Sequence, residues 1–289
     1  RFDFILAKDG TPKILEFNAD TPTSLLEASV IQWQWKEDVF PECDQFNGIH
    51  EGLVQSWKDI FPKKGEIYFA GALENNEDTG TLQYLASTAM EAGFSTRVLD
   101  MQALDLQNGR FFDPAGELVN RCFKLYPWEW MVDESPDGCL AEMEWLEPIW
   151  KLVMSNKAIL ATLYELFPDS PYVLPCYLSR PRSGLFCKKP VFSREGHNVS
   201  VVDIRNWEEH VRIAETEGDY NTGAYVYQEY VEPTAYSGRY PVIGSWIIGG
   251  EAAGIGIREN RMEVTDNLSE FVPHIICLLY TSPSPRDTR

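Results

Sequence analysis

Apolar and polar positions alternate twice near the start of the chain, over Phe2 to Leu6 and over Lys13 to Phe17, with Asp9-Gly10 between the two runs. Alternation with period two marks half-buried strands, and an Asp-Gly pair readily supplies the positive φ of a tight hairpin turn. With Asp9 and Gly10 as the turn, Lys8 faces Thr11, Asp3 faces Glu16 and Arg1 faces Asn18. Phe2, Phe4, Leu6, Leu15 and Phe17 then share the other face, predicted to be the core side, because a slip of one residue would mix the two sets. Just beyond, Pro22 suits a first helical turn, Ser24 and Glu27 have capping-box spacing, and Leu26, Val30 and Trp33 recur at helical intervals.

The same reading carries along the chain. Trp33 to Trp57 is helical and aromatic-rich, broken at Asp44 to His50, with the aromatics expected in the core. Glu66 to Gly71, Thr81 to Ala92 and Phe94 to Met101 read as strand, helix and strand, a β-α-β unit. Gly109 to Gly116 is hairpin-like, Val119 to Tyr126 a strand, and Ala158 to Phe167 a helix followed by a proline-rich connector to Pro175. Leu185 to Val191 and Val199 to Ile204 are strands around a loop at 192–198, and a surface helix is predicted around Trp207 to Glu217. Ala224 to Glu232 is a strand, and Tyr240 to Ile248 with Ala252 to Arg258 forms a hairpin turning at Gly249-Gly250. The fold class is α/β (α+β).

Composition narrows this picture. At 289 residues, 44% hydrophobic and 24% charged, the chain is long enough for two lobes, and its character changes near Trp145. The expected division is 1–144, 145–276 and a tail at 277–289. A net charge of −19 argues against nucleic acid and anionic membranes as partners. No run is long and apolar enough to span a bilayer and no signal peptide is visible, so a cytoplasmic protein is the default expectation. The six cysteines lack zinc or C-x-x-C spacing and read as reduced, packed thiols. The chain begins at Arg1 inside the first hairpin and reads as a fragment lacking an N-terminal segment. Residues 277–289 read as an adaptor-like, non-native tail.

Candidate chemistry concentrates in the first hairpin. Asp3 opposite Glu16 would repel unless a positive charge lies between them, and with Asn18 they form a set of hard oxygen ligands of the kind that holds Mg²⁺. The alternative is a solvated strand face with Arg1 neutralising one acid. A helix start immediately after such a cluster offers N–H groups to an anion, and Thr21, Thr23 and Ser24 add hydroxyls unless they only cap. His197, beside Gly196, reads as a polar loop residue. There is no Walker A pattern and no complete G-x-G-x-x-G, and Gly254-Ile-Gly256 alone is weak.

Arg1-x-Asp3, Glu16-x-Asn18-Ala-Asp20 and Thr21-Pro-Thr-Ser-Leu-Leu-Glu-Ala-Ser29 resemble the glutathionylspermidine synthase family, most closely its stand-alone bacterial members. The resemblance extends to about Ile276. It implies an ATP-grasp fold with a preceding pre-ATP-grasp lobe, the two lobes meeting near 144/145, and a ligase that joins a carboxylate to an amine through an acyl phosphate. It also implies ATP and Mg²⁺ as cofactors, with Asp3, Glu16 and Asn18 as metal ligands. Lys157 and Lys189 are implied as nucleotide lysines, and Gln228, Glu229, Tyr230 and Val231 as the strand whose backbone reads the adenine edge.

Arg1 and Arg258 are implied at the transferring phosphoryl group, while Thr21, Ser24 and Arg194 would hold a peptide carboxylate such as glutathione. Glu77 and Asp78 would receive an amine such as spermidine, or they form a merely solvated acidic loop. Leu125 stands where the family has a threonine on the peptide substrate, a departure that bears on which carboxylate is preferred. The family's amidase domain is not visible. Two other classes stay open: a catalytically silent ATP-binding protein, and carbohydrate hydrolysis by Asp3 and Glu16, which leaves Lys157, Lys189 and Arg258 unexplained.

Overall fold

Strands β1 (Phe2–Leu6) and β2 (Pro12–Phe17) form the expected antiparallel hairpin in the computed structural model, which describes residues 1–277 except 195, 214–215, 219–222 and 265–268. The turn differs from the expected one. Ala7, not Lys8, faces Thr11, its N–H donating to the Thr11 carbonyl at 3.0 Å, and Gly10 closes a three-residue loop at φ 82°. The one-residue offset is undone by a bulge after Asp3: Phe4 pairs with Ile14, yet Asp3 pairs with Glu16. The two irregularities cancel, so the site residues keep the predicted register.

The buried face is the reverse of the one predicted. Asp3, Ile5 and Ala7 are 2%, 7% and 7% exposed, whereas Phe2, Phe4 and Leu6 are half-buried, and Leu15 lines the same cleft as Asp3 and Glu16. The reason is tertiary: a second sheet roofs the polar side, which pattern alone would leave in water.

Pro22 precedes the next helix, and Ser24 stands at φ 62° with its carbonyl, not its hydroxyl, receiving the Ala28 N–H at 3.2 Å. A π-helical turn at Glu27–Ile31 leads into α1 (Gln32–Val39). Helix α2 (Ile49–Ile60) buries Ile49, Leu53, Val54 and Trp57 on one stripe, while Trp33 on α1 is exposed. Strand β3 (Glu66–Gly71), α3 (Asn76–Glu91) and β4 (Ser95–Asp100) form the β-α-β unit, with the two strands parallel. A small meander follows: β5 (Asp105–Gln107), β6 (Arg110–Phe112) and β7 (Leu118–Val119). Strand β8 (Arg121–Leu125) returns parallel to β3, helices α4 (Trp128–Glu134) and α5 (Pro136–Cys139) intervene, and β9 (Glu144–Leu146) completes the sheet in the order β4-β3-β8-β9. Leu53, Trp57, Leu82 and Leu85 pack on Phe69 and Phe123 to make its core.

Helices α6 (Lys151–Ser155) and α7 (Ile159–Leu166) lead to β10 (Cys176–Tyr177), β11 (Gly184–Pro190), β12 (Ser200–Arg205) and β13 (Glu208–Ile213). The helix predicted around 207–217 is therefore a strand over its first half. Asn206 and Trp207 both take positive φ, 50° and 72°, turning the chain in two residues so that Arg205 pairs with Glu208. Trp207 carries no turn signal of its own, which is why the pattern misled. Strand β14 (Tyr225–Glu229) completes a five-stranded sheet in the order β10-β14-β11-β12-β13.

The last strands, β15 (Tyr240–Ile248), β16 (Glu251–Asn260) and β17 (Glu270–Val272), join the first ones in a sheet ordered β17-β16-β15-β1-β2. Sheet pairing thus crosses the 144/145 position of the sequence twice: β1 pairs with β15, and β9 pairs with β8. Among the described residues no helix is long and apolar enough to cross a membrane. Residues 278–289 of the tail lie outside the described residues.

One buried network locks α1 onto β16. The Gln32 amide nitrogen donates to the Ile255 carbonyl at 2.8 Å and also to the Ala28 carbonyl, leaving its oxygen to face His274 Nδ1 at 2.9 Å. The Phe46 N–H donates to His274 Nε2 at 3.2 Å, so the ring is neutral with its proton on Nδ1. Burial lowers the His274 pKa. The folded state therefore binds fewer protons, and stability falls as pH drops through the unfolded value of about 6.5 towards the lower folded one. The urea midpoint is expected to decline between pH 7.5 and 5.5, and His274→Gln to flatten that decline; an identical slope in the variant would refute the assignment.

Candidate active site

A cleft of about 140 Å³ lies between the two antiparallel sheets. Strand β1 forms its floor. Asp3, 2% exposed, is held by a two-point contact from Arg1, Nε to Oδ1 at 2.7 Å and the second guanidinium nitrogen to Oδ2 at 2.9 Å, and by Arg258 at 2.8 Å. Arg1 also donates to the Thr23 carbonyl at 2.6 Å. Its aliphatic stem crosses Gly244, where an added Cβ would come within 2.9 Å of the Arg1 Cδ, so the neighbouring strand needs glycine at that point.

Glu16 meets Lys157 at 3.1 Å and accepts from the Asn18 amide at 3.1 Å. Burial works against its ionisation, but Lys157, Lys189, the Asn18 hydrogen bond and Arg1 together hold its carboxyl far below the usual range. Lys157 also donates to the Ser193 carbonyl at 2.6 Å, which ties α7's start to the loop after β11. Lys189, pulled down in pKa by its burial, donates to the Gln228 side-chain oxygen at 2.7 Å and to the Leu15 carbonyl at 3.2 Å. Gln228 completes the bridge by donating to the Ile14 carbonyl at 2.8 Å. Its side chain is thus committed to holding Lys189 and joining the two sheets.

The N–H groups of Glu229 and Tyr230 are engaged by the Pro175 and Leu185 carbonyls at 2.7 and 2.9 Å, so any edge recognition by this segment falls to its other backbone groups, Val231 included. The Tyr230 hydroxyl is bonded to Glu263. On the opposite wall Arg194 divides its guanidinium between Thr21 Oγ1 at 2.7 Å and Glu129 at 2.6 Å, lying over the Trp130 ring.

Thirteen of the sixteen residues singled out from sequence line this one cleft: Arg1, Asp3, Glu16, Asn18, Thr21, Lys157, Lys189, Arg194, Gln228, Glu229, Tyr230, Val231 and Arg258. Ser24, Glu77 and Asp78 line neither it nor its neighbour. Glu77 and Asp78 sit in the first turn of α3, where the Asn75 side chain accepts the Glu77 N–H at 2.9 Å. The expected loop is a helix start five residues earlier than Thr81, so the acids face the positive end of the helix dipole. Glu129 escaped the sequence reading. Its partner Arg194 lies 65 residues away, and no local spacing connects the two.

Five cations, Arg1, Lys157, Lys189, Arg194 and Arg258, converge here in a chain of net charge −19. Such a concentration suits a polyphosphate or a carboxylate. The Asn18 amide nitrogen donates to a Glu16 oxygen at 3.1 Å and lies 3.5 Å from an Asp3 oxygen, so the two carboxylates converge on one amide; turned over, that amide would add its oxygen to theirs, the hard donor set that Mg²⁺ takes. A larger cavity of about 350 Å³ adjoins the cleft across Arg1 and Asn18, walled by Leu25, Leu53, Trp57, Leu125 and Trp246.

Over 95% of its length the chain is 38% identical to a Haemophilus influenzae protein named "putative acid–amine ligase", covering 73% of that protein. It is 28% identical to trypanothione synthetase of Crithidia fasciculata over 94% of this chain and 46% of that one. Among solved structures, a glutathione synthetase-like effector from Globodera pallida superposes with a TM-score of 0.57 at 11% identity, over 96% of this chain and 75% of the other, a likeness of fold alone. The family described as glutathionylspermidine synthase preATP-grasp matches residues 1–277, and the chain belongs to that family.

Proposed function

We propose that this protein is an ATP-dependent carboxylate–amine ligase, joining a carboxylic acid, in the manner of a peptide such as glutathione, to an amine such as spermidine through an acyl phosphate. The observation that carries the reading is the convergence of five cations and the Asp3–Glu16 pair, drawn from distant parts of the chain, on one cleft. Family membership supports the same class.

A carboxylate is a poor acyl donor, because its leaving group is oxide. Phosphorylation supplies a good one. A carboxylate oxygen attacks the γ-phosphorus, the bond to the ADP oxygen breaks, and the amine then adds to the acyl carbon with loss of phosphate and a proton. Both steps depend on positioning and on stabilising spread negative charge. Arg1 and Arg258 meet on Asp3 at the floor and supply fixed positive charge there, while Lys157 and Lys189 flank Glu16 and serve the nucleotide. Asp3, Glu16 and Asn18 would hold Mg²⁺, which when bound neutralises phosphate oxygens. In this reading Arg194, which bonds to Thr21 from the loop after β11, orients the acid.

Two measurements test this. With ATP, Mg²⁺ and a panel of peptides and polyamines added one at a time, phosphate release is expected to depend on one acid and one amine. Asp3→Ala and Glu16→Ala are expected to reduce it about 100-fold or more. ATP binding with no release across the panel would establish a silent nucleotide-binding protein instead. Separately, Gln228→Leu is expected to weaken ATP binding by about tenfold through Lys189. Its effect should not add to that of Lys189→Met in calorimetric titration, and full additivity would show that Gln228 acts elsewhere.

A further inference from the structure

Asp20 and Lys124 are both fully buried and lie outside the cleft lining. One Asp20 oxygen accepts from Lys124 Nζ at 2.6 Å and the other from the Trp128 N–H at 2.9 Å. Lys124 also donates to the Tyr126 carbonyl at 2.8 Å, with its ammonium 4.4 Å from the Trp128 ring centroid. Both oxygens are used, and the ammonium is held on three sides. Burial pushes the Asp20 carboxyl up and the Lys124 amine down, against their mutual attraction. A buried pair of this kind is weak evidence for net stability, since an apolar pair of similar volume commonly serves as well. Its position explains more than its energy does.

Asp20 lies between three parts of the site. The Ala19 and Asp20 N–H groups both donate to Ser155 Oγ, at 3.0 and 2.7 Å, on the segment that leads into Lys157. The next residue, Thr21, holds one side of Arg194, and Glu129, immediately after Trp128, holds the other. Arg194 lies in the loop joining β11 to β12, which lines the cleft with Arg194, Gly196 and Val199 and is termed the flap. We propose that the Asp20–Lys124 pair is a positioning strut: it fixes the start of α4 against residues 19–21, so that Thr21 and Glu129 stand at the spacing that captures Arg194 and holds the flap closed. Lys124 and Asp20 act through these neighbours and touch neither nucleotide nor acid. The kinetic consequence rests on the ligase reading, whereas the flap consequence does not.

The test is backbone hydrogen exchange in the flap, residues 191–194 and 196–199, of the ligand-free protein. The paired replacement Asp20→Leu with Lys124→Met keeps the site apolar and is expected to speed flap exchange about tenfold while β3 stays protected. Glu129→Gln is expected to do the same, and the triple variant no more than either, because all act on one contact. Should the paired replacement fail to fold, Asp20→Glu keeps the charges but lengthens the arm by one methylene, and is expected to loosen the flap likewise. In the active enzyme the strut variants should raise KM for the acid about tenfold and leave kcat within about twofold. Unchanged flap exchange in folded strut variants, or effects of strut and Glu129 that simply sum, would overturn the proposal. Loosening without any detectable ligase activity would support the strut and count only against the enzymatic reading.

Discussion

A carboxylate at 2% exposure must have its charge met, and the way Asp3 is met organises this molecule. Its two guanidinium partners come from opposite ends of the described chain, Arg1 just before β1 and Arg258 on β16. That demand brings the first strand against the last ones, so β1 lies between β2 and β15, and it places glycine at 244 where the Arg1 stem must pass. Buried ion pairs of this sort add little net stability once desolvation is counted. What they confer here is a single arrangement: a floor of paired charges fixed in place.

The hairpin is also the seam between the sheets. Ile14 donates to the Tyr172 carbonyl at 2.9 Å and accepts from Gln228, while Leu15 accepts from Lys189. Backbone groups of β2 therefore do for the second sheet what a neighbouring strand would do within one. The bulge after Asp3 belongs to this logic. It turns Leu15 into the cleft beside Glu16, while the edge position of β2 leaves the Ile14 and Leu15 carbonyls to receive Gln228 and Lys189. The outer edge of the hairpin is thus what lets it serve two sheets.

Local chemistry made much of this legible. Alternation and turn signals found β1 to β4, β8, β11, β12 and β14 to β16 but not β5, β9, β10, β13 or β17; Asp9-Gly10 and Gly249-Gly250 marked their hairpins, and the spacing of Asp3, Glu16 and Asn18 brought the three together because two irregularities cancelled. Where the reading failed, an unsignalled local turn or a tertiary contact was responsible. Asn206-Trp207 turned a supposed helix into a strand, and the apparent core face of β1 was the outer one. Ser24, Glu77 and Asp78 were assigned to the site on motif resemblance, but their backbone places them at helix starts outside both cavities.

By itself the sequence determined the elements and the types of group available, since strand period, turn chemistry and side-chain charge are properties of neighbours along the chain. It determined as well that the family's acids, lysines and arginines are present. Only the tertiary structure decided which of them meet. The contact of Arg258 with Asp3, the pairing of β1 with β15, the capture of Arg194 by Thr21 and Glu129, and the burial of Lys124 on Asp20 join residues up to 255 positions apart or lying on separate elements. Such contacts come from burying charges that must find partners, and a partner is selected by distance in space, which local periodicity does not encode.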